Sequence, residues 1–154
     1  MDIGNLPLPE RLMALIEAGV WPRNSNEANR QNSSPLASSD RISQLVPEET
    51  TIFFSPPPFS TLAKVVARPG ETFFHEYGAL DQIRPQACIP IGDFGLGSDS
   101  PILLDYSRSP TDPRVLRLKW SGNRQPNEWV EMAATFDEFA DRLQLGAGLS
   151  ERPQ

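Results

Sequence analysis

Few side chains in this 154-residue chain have the types and spacing to act on a substrate. The best placed lie in Gly92-Asp93-Phe94-Gly95-Leu96-Gly97-Ser98-Asp99. A glycine-rich loop can aim backbone amides at a phosphate, but it then needs a helix N-terminus behind it. Here an apolar, strand-like segment follows and no Gly-Lys-Ser/Thr step occurs. The segment therefore reads as a hairpin turn, its glycines tolerating positive φ and Ser98 and Asp99 bonding local backbone. His75, the sole histidine, stands between Phe74 and Glu76 with no nucleophile and orienting acid to complete a triad. Cys88 is the sole cysteine, so neither an intrachain disulfide nor a cysteine-rich zinc site can form. Beside Ile89 it reads as a buried, inert thiol. Asp93, Asp99, Asp105 and Asp112 lack the Asp-x-Asp-x-Asp-Gly spacing of a calcium loop. Asp137 and Asp141 would share a helix face, the usual place of solvated carboxylates. These residues point away from catalysis, and neither a metal nor another cofactor is expected.

Charge points toward binding. Twenty Asp and Glu against 14 Lys and Arg give a net charge of −6, which disfavours a nucleic-acid partner because no basic stripe can displace its counterions. An acidic surface instead attracts a basic protein and speeds the encounter. The candidate contact residues are Asp93, Asp99, Asp105 and Asp112, in or near turns, together with Glu48 and Glu49. No run approaches the ~18 apolar residues of a membrane span, and Met1-Asp-Ile-Gly-Asn-Leu-Pro7 lacks the basic and apolar regions of a secretory signal. A cytoplasmic location without membrane contact is the expectation.

The elements that must position these acids are legible in the carboxy-terminal half. Segments 87–91, 101–106, 114–120 and 129–133 read as strands separated by Gly- and Pro-containing turns. The linkers 107–113 and 121–128 are too short for crossover helices, which makes the sheet an antiparallel meander. In Arg114-Val-Leu-Arg-Leu-Lys-Trp120, Leu116, Leu118 and Trp120 alternate with Val115, Arg117 and Lys119, a period of two that predicts one wet face. Thr135-x-x-Glu138 forms a capping box, and Phe136, Phe139, Ala140 and Leu143 follow as one apolar stripe of a helix.

Upstream, Pro9 opens a helix whose apolar side includes Leu12, Leu15 and Ile16 and which Gly19 stops; Trp21 is expected to pack back on it. Residues 24–40 carry turn formers and almost no apolar side chains, and read as a polar, mobile insertion with short helices possible at 27–31 and 40–45. Thr51-Ile-Phe-Phe54, followed by Pro56-Pro57-Pro58, is an edge strand or none. Segments 61–68 and 71–78 read as short helices or turns. The whole is one α+β domain over residues 1–145, a central antiparallel meander flanked by N-terminal helices and a C-terminal helix, with a disordered tail over 146–154.

The order of these pieces resembles the SUKH superfamily, the Smi- and Knr-type proteins first met as fungal cell-wall regulators. The resemblance is carried by Gly92-Asp93-Phe94-Gly95 with Gly97-Ser98-Asp99, by the strand Pro101-Ile-Leu-Leu-Asp105, by the strand ending in Trp120, by Thr135-Phe-Asp-Glu-Phe139, and by the first helix ending in Gly19 before Trp21-Pro22. It covers most of the chain except 24–40 and the tail. It implies an α+β fold and a binding function. Bacterial members are commonly immunity proteins that neutralise a partner toxin by stoichiometric binding, and fungal members are regulatory interaction proteins. The expectation is an immunity protein whose partner is a basic toxin domain such as a nuclease. A regulatory adaptor without a toxin partner is the alternative, and a small enzyme using the 92–99 loop a distant third.

Overall fold

The computed structural model describes residues 2–95, 99–122 and 126–147. A short hairpin, β1 (Asp2–Ile3) with β2 (Leu6–Pro7), leads into α1 (Glu10–Glu17). Then come α2 (Ser25–Asn29), a 3₁₀ turn over Arg30–Asn32 and α3 (Ser39–Leu45). After β3 (Phe53–Phe54) the chain forms α4 (Leu62–Val66) and α5 (Phe73–Tyr77). The strands β4 (Cys88–Phe94), β5 (Ser100–Asp105), β6 (Arg114–Lys119) and β7 (Glu128–Ala133) follow, and α6 (Phe136–Leu143) closes the fold. The main sheet has the order β3-β4-β5-β6-β7, antiparallel throughout, the expected meander with β3 at its edge.

Strand alternation sends Ile89, Ile91, Phe94, Ile102, Leu104 and Val115 into one core, where α1, α3 and α6 supply Leu12, Leu15, Ile42, Phe136, Phe139 and Leu143. The stripe read for α6 is thus the buried one. The hydroxyl of Thr135 accepts from Glu138 N at 3.1 Å, one half of the capping box. Trp21 is 1 % exposed, packs on Phe54 and Phe136, and donates its indole N–H to Ser55 O at 2.8 Å.

The expectation of one wet sheet face is overturned. Cys88 and Leu103 point to the opposite side, where α4 and α5 cover them with Leu62 and Phe74. Leu116, opposite Leu103, and Leu118, opposite Trp129, are buried there too. The period of two in β6 is real, but it separates two covered faces. The helices responsible are only five residues each, too short to announce a layer by periodicity.

Two further expectations meet corrections. Residues 24–40, read as a mobile insertion, are folded onto the body: Ala28, Gln31 and Ala37 are buried, and Asn24 and Ser38 cap α2 and α3. The anchor is polar, which is why a count of apolar side chains missed it. Gly92 and Asp93, expected to hold the turn, belong to β4, where β3 pairs with them through Phe53↔Asp93 and Phe54↔Gly92. Gly92 is required for close approach: a Cβ there would lie 2.7 Å from Phe53 O. The segment 148–154 of the tail lies outside the described residues, as do Leu96, Gly97 and Ser98 of the 92–99 loop.

Candidate functional site

The acids singled out by sequence divide between the two ends of β5. At its start, Asp93, Asp99 and Glu49 come close enough to interact. Asp93 sits near the end of β4, half-buried, with its carboxylate accepting from Ser100 N. Burial, then the neighbouring charges of Asp99 and Glu49, push its pKa up to about 6 against that hydrogen bond. Asp99 is exposed, in the left-handed region at φ 46° just before β5. Glu48, next to Glu49, is exposed and pairs with Arg117 Nη2 at 2.8 Å.

At the other end, about 17 Å of strand away, Asp105 and Asp112 do other work. Asp105 is 2 % exposed and accepts from Arg114 Nε at 2.7 Å, Ser107 N at 3.0 Å and Ser107 Oγ at 3.0 Å. Burial alone would raise its pKa; the Ser107 and Arg114 hydrogen bonds overcome that and hold it low. This carboxylate does not reach the surface, so its place is in the fold rather than on a contact face. Asp112 is exposed, its N–H bonded to Ser109 Oγ, at a shallow depression beside Glu10 and Asp137.

Beside Asp93 a cleft of about 390 Å³ opens between the 31–35 turn and the β3–β4 edge. Pro35, Ile52 and Phe53 form its apolar walls, and Asn32 and Asp93 are polar points on its lining. Among the described residues, no Lys or Arg lines it.

A second feature has no counterpart in the sequence reading. Tyr77 and Trp120 are 44 % and 42 % exposed, the large apolar side chains the fold leaves at the surface among the described residues. Their rings lie 5.2 Å apart, and Phe73 supports both at 5.7 and 6.2 Å. The platform is clamped from below. Asn127 Nδ2 donates to Tyr77 O at 3.0 Å, Trp129 Nε1 to Gly78 O, and Ser121 N to Asn127 Oδ1. Trp120 Nε1 donates to Asp99 O at 2.8 Å, which joins the aromatic platform to the acidic end of the sheet. Tyr77 and Trp120 are 43 positions apart, on a five-residue helix and just past a strand end, and no local pattern links them.

The remaining reactive groups are spoken for by the fold. Cys88 is fully buried beside Asp105, and burial followed by that carboxylate pushes its thiol up to about 12. The exposed His75 donates its Nε2–H to Val66 O, 2.6 Å away. Among the described residues no group of three His, Cys, Asp or Glu side chains could hold a metal ion, and no helix is long and apolar enough to cross a membrane. No protein-family model matches the chain, and comparison with curated proteins and with solved structures returned no match.

Proposed function

We propose that this chain is a non-catalytic protein-binding domain, and specifically an immunity protein that works in the cytoplasm and neutralises a basic bacterial toxin domain by stoichiometric occlusion. The observation that carries the reading is the platform of Tyr77 and Trp120, exposed yet held rigid by Phe73 and the Asn127 clamp. Exposed aromatic side chains that are already ordered give up little entropy on binding, and Trp and Tyr dominate the energetics of protein interfaces. Asp99, bonded to Trp120, and the adjoining Asp93 and Glu49 add a negative rim suited to a basic partner. The resemblance of its sequence motifs to SUKH proteins supports the immunity class, by analogy of family rather than by chemistry of the site.

The test is co-expression with the C-terminal domain encoded by the neighbouring gene, scoring growth and co-purification together. Rescue of growth with a stable one-to-one complex is the expected result. A toxic neighbour that is neither bound nor neutralised would overturn the reading.

A further inference from the structure

Two of the carboxylates beside the sheet have an arginine. Asp105 has Arg114 at 2.7 Å and Glu48 has Arg117 at 2.8 Å. Asp93 differs. Among the described residues no Lys or Arg lies against it, and its charged neighbours are Asp99 and Glu49, both acidic. The backbone N–H of Ser100 donates to it. It also lines a cleft of about 390 Å³ whose walls, Pro35, Ile52 and Phe53, are apolar. A half-buried carboxylate without a cation against it is a standing electrostatic cost to the fold, and this one belongs to a residue that lines a cleft.

We infer that the cleft beside β3 is a socket for one cationic side chain, a lysine or arginine presented by the partner protein, with Asp93 as its counter-ion. The alkyl stem of such a residue is apolar and suits the Pro35–Ile52–Phe53 walls, while its charged head seeks the carboxylate. The field of Asp99 and Glu49 favours a cation at the same spot and disfavours an anion. Through Asp99 the socket is continuous with Trp120, so one partner surface can cover both. The ionised form of Asp93 is the one that binds, and its raised pKa is relieved when the cation arrives. Occupancy therefore strengthens as pH rises from 5 to 7, with Asp99 and Glu49 as the titratable groups facing it. This inference rests on the protein-binding reading above for the source of the side chain, but not for the existence of the socket.

The experiment is an NMR titration of the full chain with Nα-acetyl-lysinamide, using Nα-acetyl-norleucinamide as the uncharged control of similar shape. The expected result is saturable movement of the Ile52, Phe53 and Gly95 amide signals with the cationic probe, at least ten-fold weaker for norleucinamide. Asp93→Asn should abolish that difference while the rest of the spectrum stays in place. Equal response to both probes, no localised response, or an unchanged response in Asp93→Asn would each overturn the socket. The two readings fail separately. Charge-selective probe binding without toxin neutralisation would leave the socket and sink immunity, whereas neutralisation unaffected by Asp93→Asn with no probe response would sink the socket alone.

Discussion

The side-chain amide of Gln31 pairs with the backbone of Phe54 on both sides, Nε2 donating to Phe54 O at 2.8 Å and Phe54 N donating to Oε1 at 2.8 Å. One glutamine thereby takes the place of a sixth strand at the β3 edge, and Nε2 also reaches Ala28 O at 3.0 Å. The opposite edge is treated in the same way. Gln82 Oε1 accepts from Trp129 N at 2.9 Å, and Arg142 Nη1 donates to Met132 O at 3.3 Å. Side chains satisfy backbone groups that would otherwise template pairing with another chain.

Gln31→Ala removes both bonds to Phe54 and the one to Ala28 O at a site 6 % exposed, and should lower stability by about 2–3 kcal/mol, roughly 1 for each bond. Gln31→Glu should cost more, because a carboxylate cannot donate to Phe54 O and brings a charge into a buried site. Urea unfolding measures both, and amide exchange at Phe54 should quicken in each variant. Unchanged stability in Gln31→Ala would show that the edge is not held by this pair.

Asp105 holds the far end of the sheet by the same means, with charge added. Asp105→Ala leaves Arg114 without its nearest carboxylate and should cost about 3 kcal/mol. The folded-state pKa of Asp105 lies below its ordinary value, so its contribution is complete above the usual carboxylate range and is lost as pH falls through the folded value. Thermal unfolding from pH 7 down to pH 3 should therefore show a steeper acid loss in the parent than in Asp105→Asn.

Gly92→Ala tests the approach of β3 to β4. The added Cβ would lie 2.7 Å from Phe53 O, a backbone atom that cannot swing aside. The strands must part or the sheet must shift, and a loss of about 1–3 kcal/mol follows. Gly70→Ala meets no atom within 4 Å but sits at φ 83°, so its loss should come from backbone strain alone. Comparing the two by urea unfolding, with amide exchange at Phe54 faster only in Gly92→Ala, separates crowding from strain.

What the sequence disclosed follows from the range of the forces involved. The meander, α6 and its cap, the β3 edge and the burial of Trp21 rest on patterns within a few residues, and the structure has them. The anchoring of 24–40 rests on Gln31 meeting Phe54 across 23 positions, and polar anchors leave no hydrophobic period. The second helical layer rests on elements of five residues. Of the six acids, net charge could nominate all but could not tell Asp105, sealed against Arg114, from Asp93, which faces a cleft. Only the register of β4 with β5 separates them.

Asp93 gives the opposite pH signature to Asp105. Its folded pKa of about 6 exceeds its ordinary value, so the unfolded chain holds the proton less tightly, and stability rises as pH falls from about 7 towards 4. Asp93→Asn should raise stability at pH 7.5 by about 1 kcal/mol, allowing for its partial exposure. That is about 2–4 °C for a chain of this size. The variant should also flatten the curve between pH 4 and 6. Differential scanning calorimetry across that range is the check, and a variant less stable than the parent at pH 7.5 would contradict a net cost from the ionised Asp93.

Trp120→Ala separates folding from binding at the aromatic platform. The ring is 42 % exposed, so its removal forfeits contacts with Phe73 and Tyr77 and one hydrogen bond to Asp99 O without opening a cavity in either core. A stability loss of about 1 kcal/mol is expected. As an interface anchor the same ring should be worth at least about 2 kcal/mol, a weakening of about 30-fold in partner affinity. Tyr77→Ala, which removes the other exposed ring of the pair, should act in the same direction. Glu17→Ala, at the exposed end of α1, should change neither quantity. Isothermal titration against the partner, paired with urea unfolding of each variant, reads both. Affinity that falls only in proportion to stability would assign Trp120 to the fold and return the contact surface to the acidic end of the sheet.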